Sequence, residues 1–239
     1  MPMQRRQGGF TLVEMAIVLV IIGLLLGGIL KGQELIQSAR VRNIADQNSG
    51  VQAAYYGFID RYRQVPGDWS QANAEKAIPG VATGGNANGR LDAVSGNDYT
   101  EALALWEHLS KSRFIQGSYV GGESQPSSDD TNLAPRNAFN GFLMLYRSSD
   151  YAVPNASTSP SEQLNLILGA GIPVNVLAEL DRKIDDGLPS SGVLRHAVTT
   201  GGTFGTISQS SADCVDTSET PMIWDIETNQ QLCNAVYLY

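Results

Sequence analysis

Gln7-Gly8-Gly9-Phe10-Thr11-Leu12-Val13-Glu14-Met15 opens a run that reaches Leu30, in which only Thr11 and Glu14 interrupt apolar residues and glycine before Lys31. The stretch from Phe10 to Leu30 makes about 31 Å of helix at 1.5 Å per residue, the thickness of a hydrocarbon core. Glu14 places a carboxylate inside it, at a cost of roughly 2.5–3.5 kcal/mol on insertion scales, and such residues are kept for a functional partner. The partner this chemistry implies is the amine of another chain.

Beyond Lys31 the pattern changes. Leu35, Ala39, Val41, Ile44, Ala45, Val51, Tyr55, Phe58, Ile59 and Tyr62 recur mostly three or four residues apart, the period of an amphipathic helix. No proline stands between Pro2 and Pro66, so the chain predicts one helix from about Thr11 to Tyr62. Its first half belongs in lipid, and its second half packs under a domain. Val65-Pro66-Gly67-Asp68 then ends it, because proline removes a donor and glycine permits a turn.

The order of features ahead of the apolar run is not that of a secretory signal peptide, whose small-residue cleavage site follows the apolar region. Here the basic residues Arg5 and Arg6 and the pair Gly8-Gly9 come first, so the cleavable element precedes the anchor. A short basic leader followed by G-F-T-L-V-E-M (Gly9–Met15) resembles the class III signal of type IV pilins and type II secretion pseudopilins. The resemblance implies that prepilin peptidase cuts between Gly9 and Phe10 and that the new amine of Phe10 is N-methylated. It also implies that Glu14, fifth in the mature chain, pairs with a neighbouring subunit's N-terminal amine and so aligns each incoming subunit. Many type IVa pilins carry proline at the twenty-second mature position; here that residue is Lys31, and Gly23, Gly27, Gly28 and Gly32 are the weak points left to the helix. The proline-glycine-aspartate at 66–68, a tryptophan helix and a C-terminal cysteine pair resemble a pilin-like group with "LPGD" after the long helix. Arg5 and Arg6 should hold the leader in the cytoplasm and leave the C-terminal domain in the periplasm.

The 239 residues carry a formal charge of −8, and without the first nine residues 14 bases face 24 acids. Such a balance argues against nucleic acid, whose binding rests on basic phosphate contacts. Cys214 and Cys233 are the two cysteines, with no CxxC and only His108 and His196 as histidines. One disulfide made in an oxidising compartment is favoured over two independent buried thiols, and a zinc site would lack ligands. The pilin resemblance likewise implies a disulfide region at the C-terminus.

Gly84–Asp92 and Gly96-Asn97-Asp98 form a segment of glycine, asparagine and aspartate that reads as a surface turn. As a calcium site, which the likeness to major pseudopilins suggests, its ligands would be Asn86, Asn88, Asp92 and Asp98. The EF-hand spacing fails, since Gly84 and Arg90 fall where ligand oxygens belong. Thr100–Phe114 reads as a helix capped by Thr100, with Leu103, Trp106, Leu109 and Phe114 on one face and His108 off that face in solvent. Residues 117–137 and 147–163 read as loops, Phe139–Tyr146 as a strand, and Val174–Asp186 as a helix stopped by Gly187 and Pro189. Asp181, Asp185 and Asp186 read as a solvated face and local caps, with a cation as the alternative. Gly187–Asp213 reads as glycine- and serine-rich loop, while Thr220–Ile226 and Ala235–Tyr239 read as strands at the end of a small sheet.

G-x-S-x-G, H-E-x-x-H and the phosphate-cradling G-x-x-x-x-G-K-[ST] are all absent, which argues against an enzyme and against the assembly ATPase of such systems. The fold expected is α+β and pilin-like, with a cleaved leader (1–9), a transmembrane or filament-core helix (10–30), an amphipathic second half (31–64) and a globular domain (65–239). The function expected is a structural subunit that assembles with copies of itself and other pilins or pseudopilins. The alternative is a scarce minor pilin that acts at a filament tip as an adhesin or ligand reader, or that initiates assembly.

Overall fold

The computed structural model describes residues 11–154 and 159–239. The chain divides into two compact units, Met1–Arg40 and Val41–Tyr239. Helix α1, Leu12–Tyr62, contributes to both, and its side chains show where the division falls. From Thr11 to Lys31 every residue is exposed on all sides of the helix. From Val41 onward Val41, Ile44, Asn48, Val51, Ala54, Tyr55 and Phe58 are buried, a three-and-four spacing that lines one face. The change from apolar all round to apolar on one stripe is therefore the change from one unit to the other. Helix α1 is the long helix the sequence predicts. It closes with Arg63 in the left-handed region (φ 55°), whose amide donates to the Ile59 carbonyl at 2.8 Å.

The second unit contains α2 (Gln71–Ala77), α3 (Tyr99–Lys111), β1 (Met144–Ser148), β2 (Gln163–Ile167), α4 (Val174–Ile184), β3 (Leu194–His196), β4 (Val215–Asp216), β5 (Ile223–Trp224) and β6 (Ala235–Leu238). A four-stranded antiparallel sheet has the order β1-β2-β6-β3, and β4 pairs with β5 apart from it. The class is α+β with a small antiparallel sheet, as expected. Strand β6, however, lies inside the sheet and not at its end: Val236 faces Ile167 on one side and Arg195 on the other. The last residue fastens this strand to α1, the Tyr239 hydroxyl donating to Asn48 Oδ1 at 3.0 Å.

Four local expectations are corrected. Helix α3 begins at Tyr99, one residue before the expected cap, with Asp98 in the capping position. Its residues Glu101 to Ser110 are all buried, so His108 lies in the interior and not in solvent. Regular pairing starts at Met144 and not at Phe139, because Asn137 Oδ1 accepts from the amides of Phe139 (2.7 Å) and Gly141 (3.0 Å) and curls those residues into a turn. The segment read as loop from 187 to 213 contains β3, whose three residues are too few for their alternation to stand out among glycine and serine.

Candidate functional site

The N-terminus of α1 is where the sequence places its chemistry. Gly9 and Phe10 lie outside the described residues; Thr11 and Glu14 lie within them. The Thr11 amide donates to Glu14 Oε2 at 2.8 Å, the Thr11 hydroxyl donates to the same oxygen at 2.9 Å, and the Glu14 amide donates to Thr11 Oγ1 at 3.2 Å. This is a reciprocal capping box, in which two otherwise unpaired amides at the helix start find side-chain acceptors. The carboxylate that looked bare in the sequence therefore has a local partner. The signal is legible as T-x-x-E ahead of an apolar run, with Thr11 the local partner of Glu14.

Behind this terminus the apolar surface is unusually open for a folded chain. Every large apolar side chain from Leu12 to Leu30 is exposed. Among the described residues α1 is the one helix long and apolar enough to cross a membrane.

In the second unit, three acids and a histidine organise the segment from Gly67 to Asp92. Asp68 accepts from the amides of Asn88 (2.9 Å) and Gly89 (2.8 Å). Glu101 accepts from those of Asn86 (3.0 Å) and Asp92 (2.9 Å), and Glu107 from those of Ala82 (3.1 Å) and Thr83 (2.9 Å). His108 Nδ1 accepts from the Gly67 amide at 3.0 Å, which leaves Nε2–H to donate to the Thr83 carbonyl at 3.0 Å. Burial lifts Glu101 to about 7 against the lowering pull of its amide donors, and burial also holds His108 below the usual imidazole value. Glycine is required where the segment closes on these groups. A Cβ on Gly85 would strike Glu101 Oε1 and the Asp68 Cα, and one on Gly67, at φ 90°, would strike the Glu101 carbonyl oxygen.

The structure brings three of the four suggested calcium ligands together and leaves the fourth apart. Asn88 Nδ2 donates to both oxygens of Asp92, at 2.9 and 3.0 Å, and Asn86 Nδ2 lies 3.4 Å from Asp92 Oδ1. Asp98 instead accepts from the Tyr146 hydroxyl at 2.7 Å. Asn86 Oδ1 and Asn88 Oδ1 accept from the amides of Asn88 and Arg90, so both side chains close turns. Calcium asks for six to eight converging oxygens. The arrangement points amide nitrogens at Asp92, and this donor set does not fit the ion.

The acids at the end of α4 are likewise tied to backbone and indole; the expectation of a solvated face is corrected for Asp181, while Asp186 is exposed and caps locally as expected. Asp181 is buried, accepting from Trp224 Nε1 at 2.7 Å and from the Gly187 amide at 3.2 Å, and burial raises it to about 6. Asp185 Oδ2 accepts from the amides of Val193 (2.5 Å) and Leu194 (2.8 Å) and so sets the entry to β3. Asp186 caps locally, taking the Leu188 amide and the Ser191 hydroxyl. Ligand atoms of the three come within 4.8 Å of one another. Cys214 and Cys233 form a disulfide with Cα atoms 5.8 Å apart.

Residues 4–30 match the model of the prokaryotic N-terminal methylation motif. That motif is the signal of type IV pilins and pseudopilins, and with the apolar helix behind it the chain fits a membrane-anchored, pilin-like protein. The chain joins this signal to a long apolar helix and a C-terminal domain with a small antiparallel sheet. The motif implies processing by prepilin peptidase and assembly with pilins. No curated protein and no solved structure was found to match the chain.

Proposed function

We propose that this chain is a prepilin or pseudopilin subunit of a type IV pilus or a type II secretion-like filament. In this reading prepilin peptidase cuts between Gly9 and Phe10 and the Phe10 amine is methylated. Residues 10–30 hold the chain in the inner membrane with residues 65–239 in the periplasm, until copies of it polymerise with one another and with other pilins. The observation that carries the reading is the unbroken exposure of apolar residues from Leu12 to Leu30 behind the methylation motif. Covering such side chains is worth about 1.5–3 kcal/mol each, so the segment is stable only in lipid or among other helices. Glu14 supplies a negative group at the start of that segment. An incoming methylated amine would share its carboxylate with the Thr11 amide and hydroxyl, which fixes the axial step between subunits.

The test is Glu14→Ala in cells. The variant should insert and be cleaved at Gly9, shown by mass spectrometry of the mature N-terminus, yet yield at most about a tenth of the sheared filament seen by electron microscopy, the loss of one charge-assisted contact per subunit. Normal filament yield would remove Glu14 from the assembly step.

A further inference from the structure

The two ring nitrogens of His108, a wholly buried side chain of α3, hold the two ends of one loop. That loop runs from Gly67, a few residues after α1, to Thr83 and carries α2. At its first end the Gly67 amide donates to Nδ1 at 3.0 Å, and at its second Nε2–H donates to the Thr83 carbonyl at 3.0 Å. The two ends are not equally held. Thr83 has further support from Glu107 Oε2, which accepts from its amide (2.9 Å) and its hydroxyl (2.5 Å), while the Ala82 amide donates to Glu107 Oε1 at 3.1 Å. The buried Gly67 amide has the imidazole as its acceptor. Around this weaker end stands an aromatic cluster at the close of α1. Phe58 lies nearly parallel to the imidazole, with centroids 6.2 Å apart and planes at 16°, and Trp69 meets Phe58 at 6.4 Å and Tyr62 at 5.8 Å.

A proton breaks one of the two ring contacts and leaves the other. Neutral imidazole offers an acceptor and a donor, whereas imidazolium offers two donors. A protonated Nδ1 would turn its N–H towards the Gly67 N–H, while Nε2–H would go on donating to Thr83. We propose that His108 is an acid-released clasp: protonation detaches the Gly67 end of the loop and loosens the aromatic cluster at the end of α1, while the Thr83 end stays on Glu107. The groups that meet the ring are Phe58 of α1, Gly67 and Thr83 of the loop, and Glu107 beside it on α3. Of these Glu107 alone titrates, and its charge favours the imidazolium; Asp68, next to Gly67, is turned to the amides of Asn88 and Gly89. Burial outweighs the pull of Glu107 and of the Thr83 carbonyl and holds the ring below its usual value, so the clasp is closed at neutral pH. A base with a depressed folded value contributes its stability above 6.5 and loses it as pH falls through the folded value, so release belongs to acid and not to alkali.

The full chain in detergent micelles, labelled with ¹⁵N, reports the two ends separately. At about pH 7.5 the His108 ring should show Nδ1 without a proton and Nε2 with one. On titration into acid, the Gly67 amide should lose about tenfold of its protection from hydrogen exchange, corrected for the intrinsic effect of pH, the worth of one hydrogen bond. The Trp69 indole signal should shift with the same midpoint, while the amides of Ala82 and Thr83 keep their protection. His196 lies against Trp224, so the Trp224 indole signal separates the second histidine from the first. His108→Asn sets an acceptor that does not titrate near the place of Nδ1, and it should keep Gly67 protected in acid and abolish the Trp69 shift. The wild-type titration compares Gly67 with Thr83 in one molecule, so it decides the matter even where that variant fails to fold. Loss of protection at Gly67 and Thr83 together, in step with the Trp224 signal, would overturn the clasp and leave only unfolding of the whole unit. A Gly67 amide that stays protected until the unit unfolds, or a proton on Nδ1 at about pH 7.5, would overturn it equally.

Discussion

His196 shows how a single buried ring can make a domain sensitive to acid. It lies on β3, almost wholly buried, edge-on to Trp224 at 5.9 Å, with Nε2 facing the Ser211 carbonyl at 3.3 Å. Burial lowers its pKa from 6.5 to about 4. A base whose folded value is depressed adds stability above its unfolded value, and that stability is lost as pH falls through the folded value, here between about 6.5 and 4. Asp181, which accepts from the indole of the same tryptophan, is raised to about 6 and has the opposite sign: its contribution is present below 3.8 and is lost as pH rises through 6. The two slopes oppose one another in wild type, so the histidine term must be read as a difference. Urea unfolding of wild type and His196→Gln, followed by tryptophan fluorescence, should show the advantage of wild type shrinking by about 1.4 kcal/mol per pH unit between pH 6 and 4.5. A constant difference would mean that His196 is protonated in the folded state.

At the scale of elements, α3 works as a polar template as well as a core helix. Among the described residues Glu101, Glu107 and His108 form no salt bridge; their partners are backbone amides, the Thr83 hydroxyl and a carbonyl of the segment 67–92. Glu107→Ala would leave the part-buried amides of Ala82 and Thr83 and the Thr83 hydroxyl without their acceptor and should cost about 1–3 kcal/mol in thermal or urea unfolding. Glu75→Ala on the exposed face of α2 removes only a bond from Gln71 Nε2 and should stay within about 0.5 kcal/mol. Because the Asn86 to Asp98 turn is closed by its own amides, its melting temperature should be the same in millimolar calcium and in chelator; a rise of several degrees with calcium would show that the turn rearranges around the ion. These contacts mark the limit of what the sequence made legible. The long helix could be read because its 51-residue pattern depends only on local period, and α4 because Gly187 and Pro189 stop it. Period alone placed His108 outside the apolar stripe, but it cannot register that a distant loop wraps that side of the helix and supplies partners for a buried imidazole. The short strand β3 and the true start of β1 are likewise fixed by partners far along the chain, Val236 and Ile167, and not by their own residues.

On the scale of the whole molecule the two units answer to different solvents, and this separates their failures. The first unit holds the processing signal and the apolar helix; the disulfide lies wholly in the second. Cys233 pairs with Ile172 through two 3.0 Å backbone bonds next to β6, whereas Cys214 leads directly into the β4–β5 pair, which lies outside the main sheet. The bond therefore joins a well-held point to a poorly held one. Closing a loop of 19 residues is worth about 3 kcal/mol on the loop-entropy model. In a Cys214→Ser/Cys233→Ser double variant that loss should fall first on residues 215–230, as early cleavage there in limited proteolysis, while β6 stays protected by β2 and β3. On the function proposed above, membrane insertion and cleavage after Gly9 should continue at the wild-type rate, since residues 1–30 contain none of the elements that the bond restrains. A double variant that accumulated as uncleaved precursor would show that processing waits on the fold of the second unit, and that the two units are coupled.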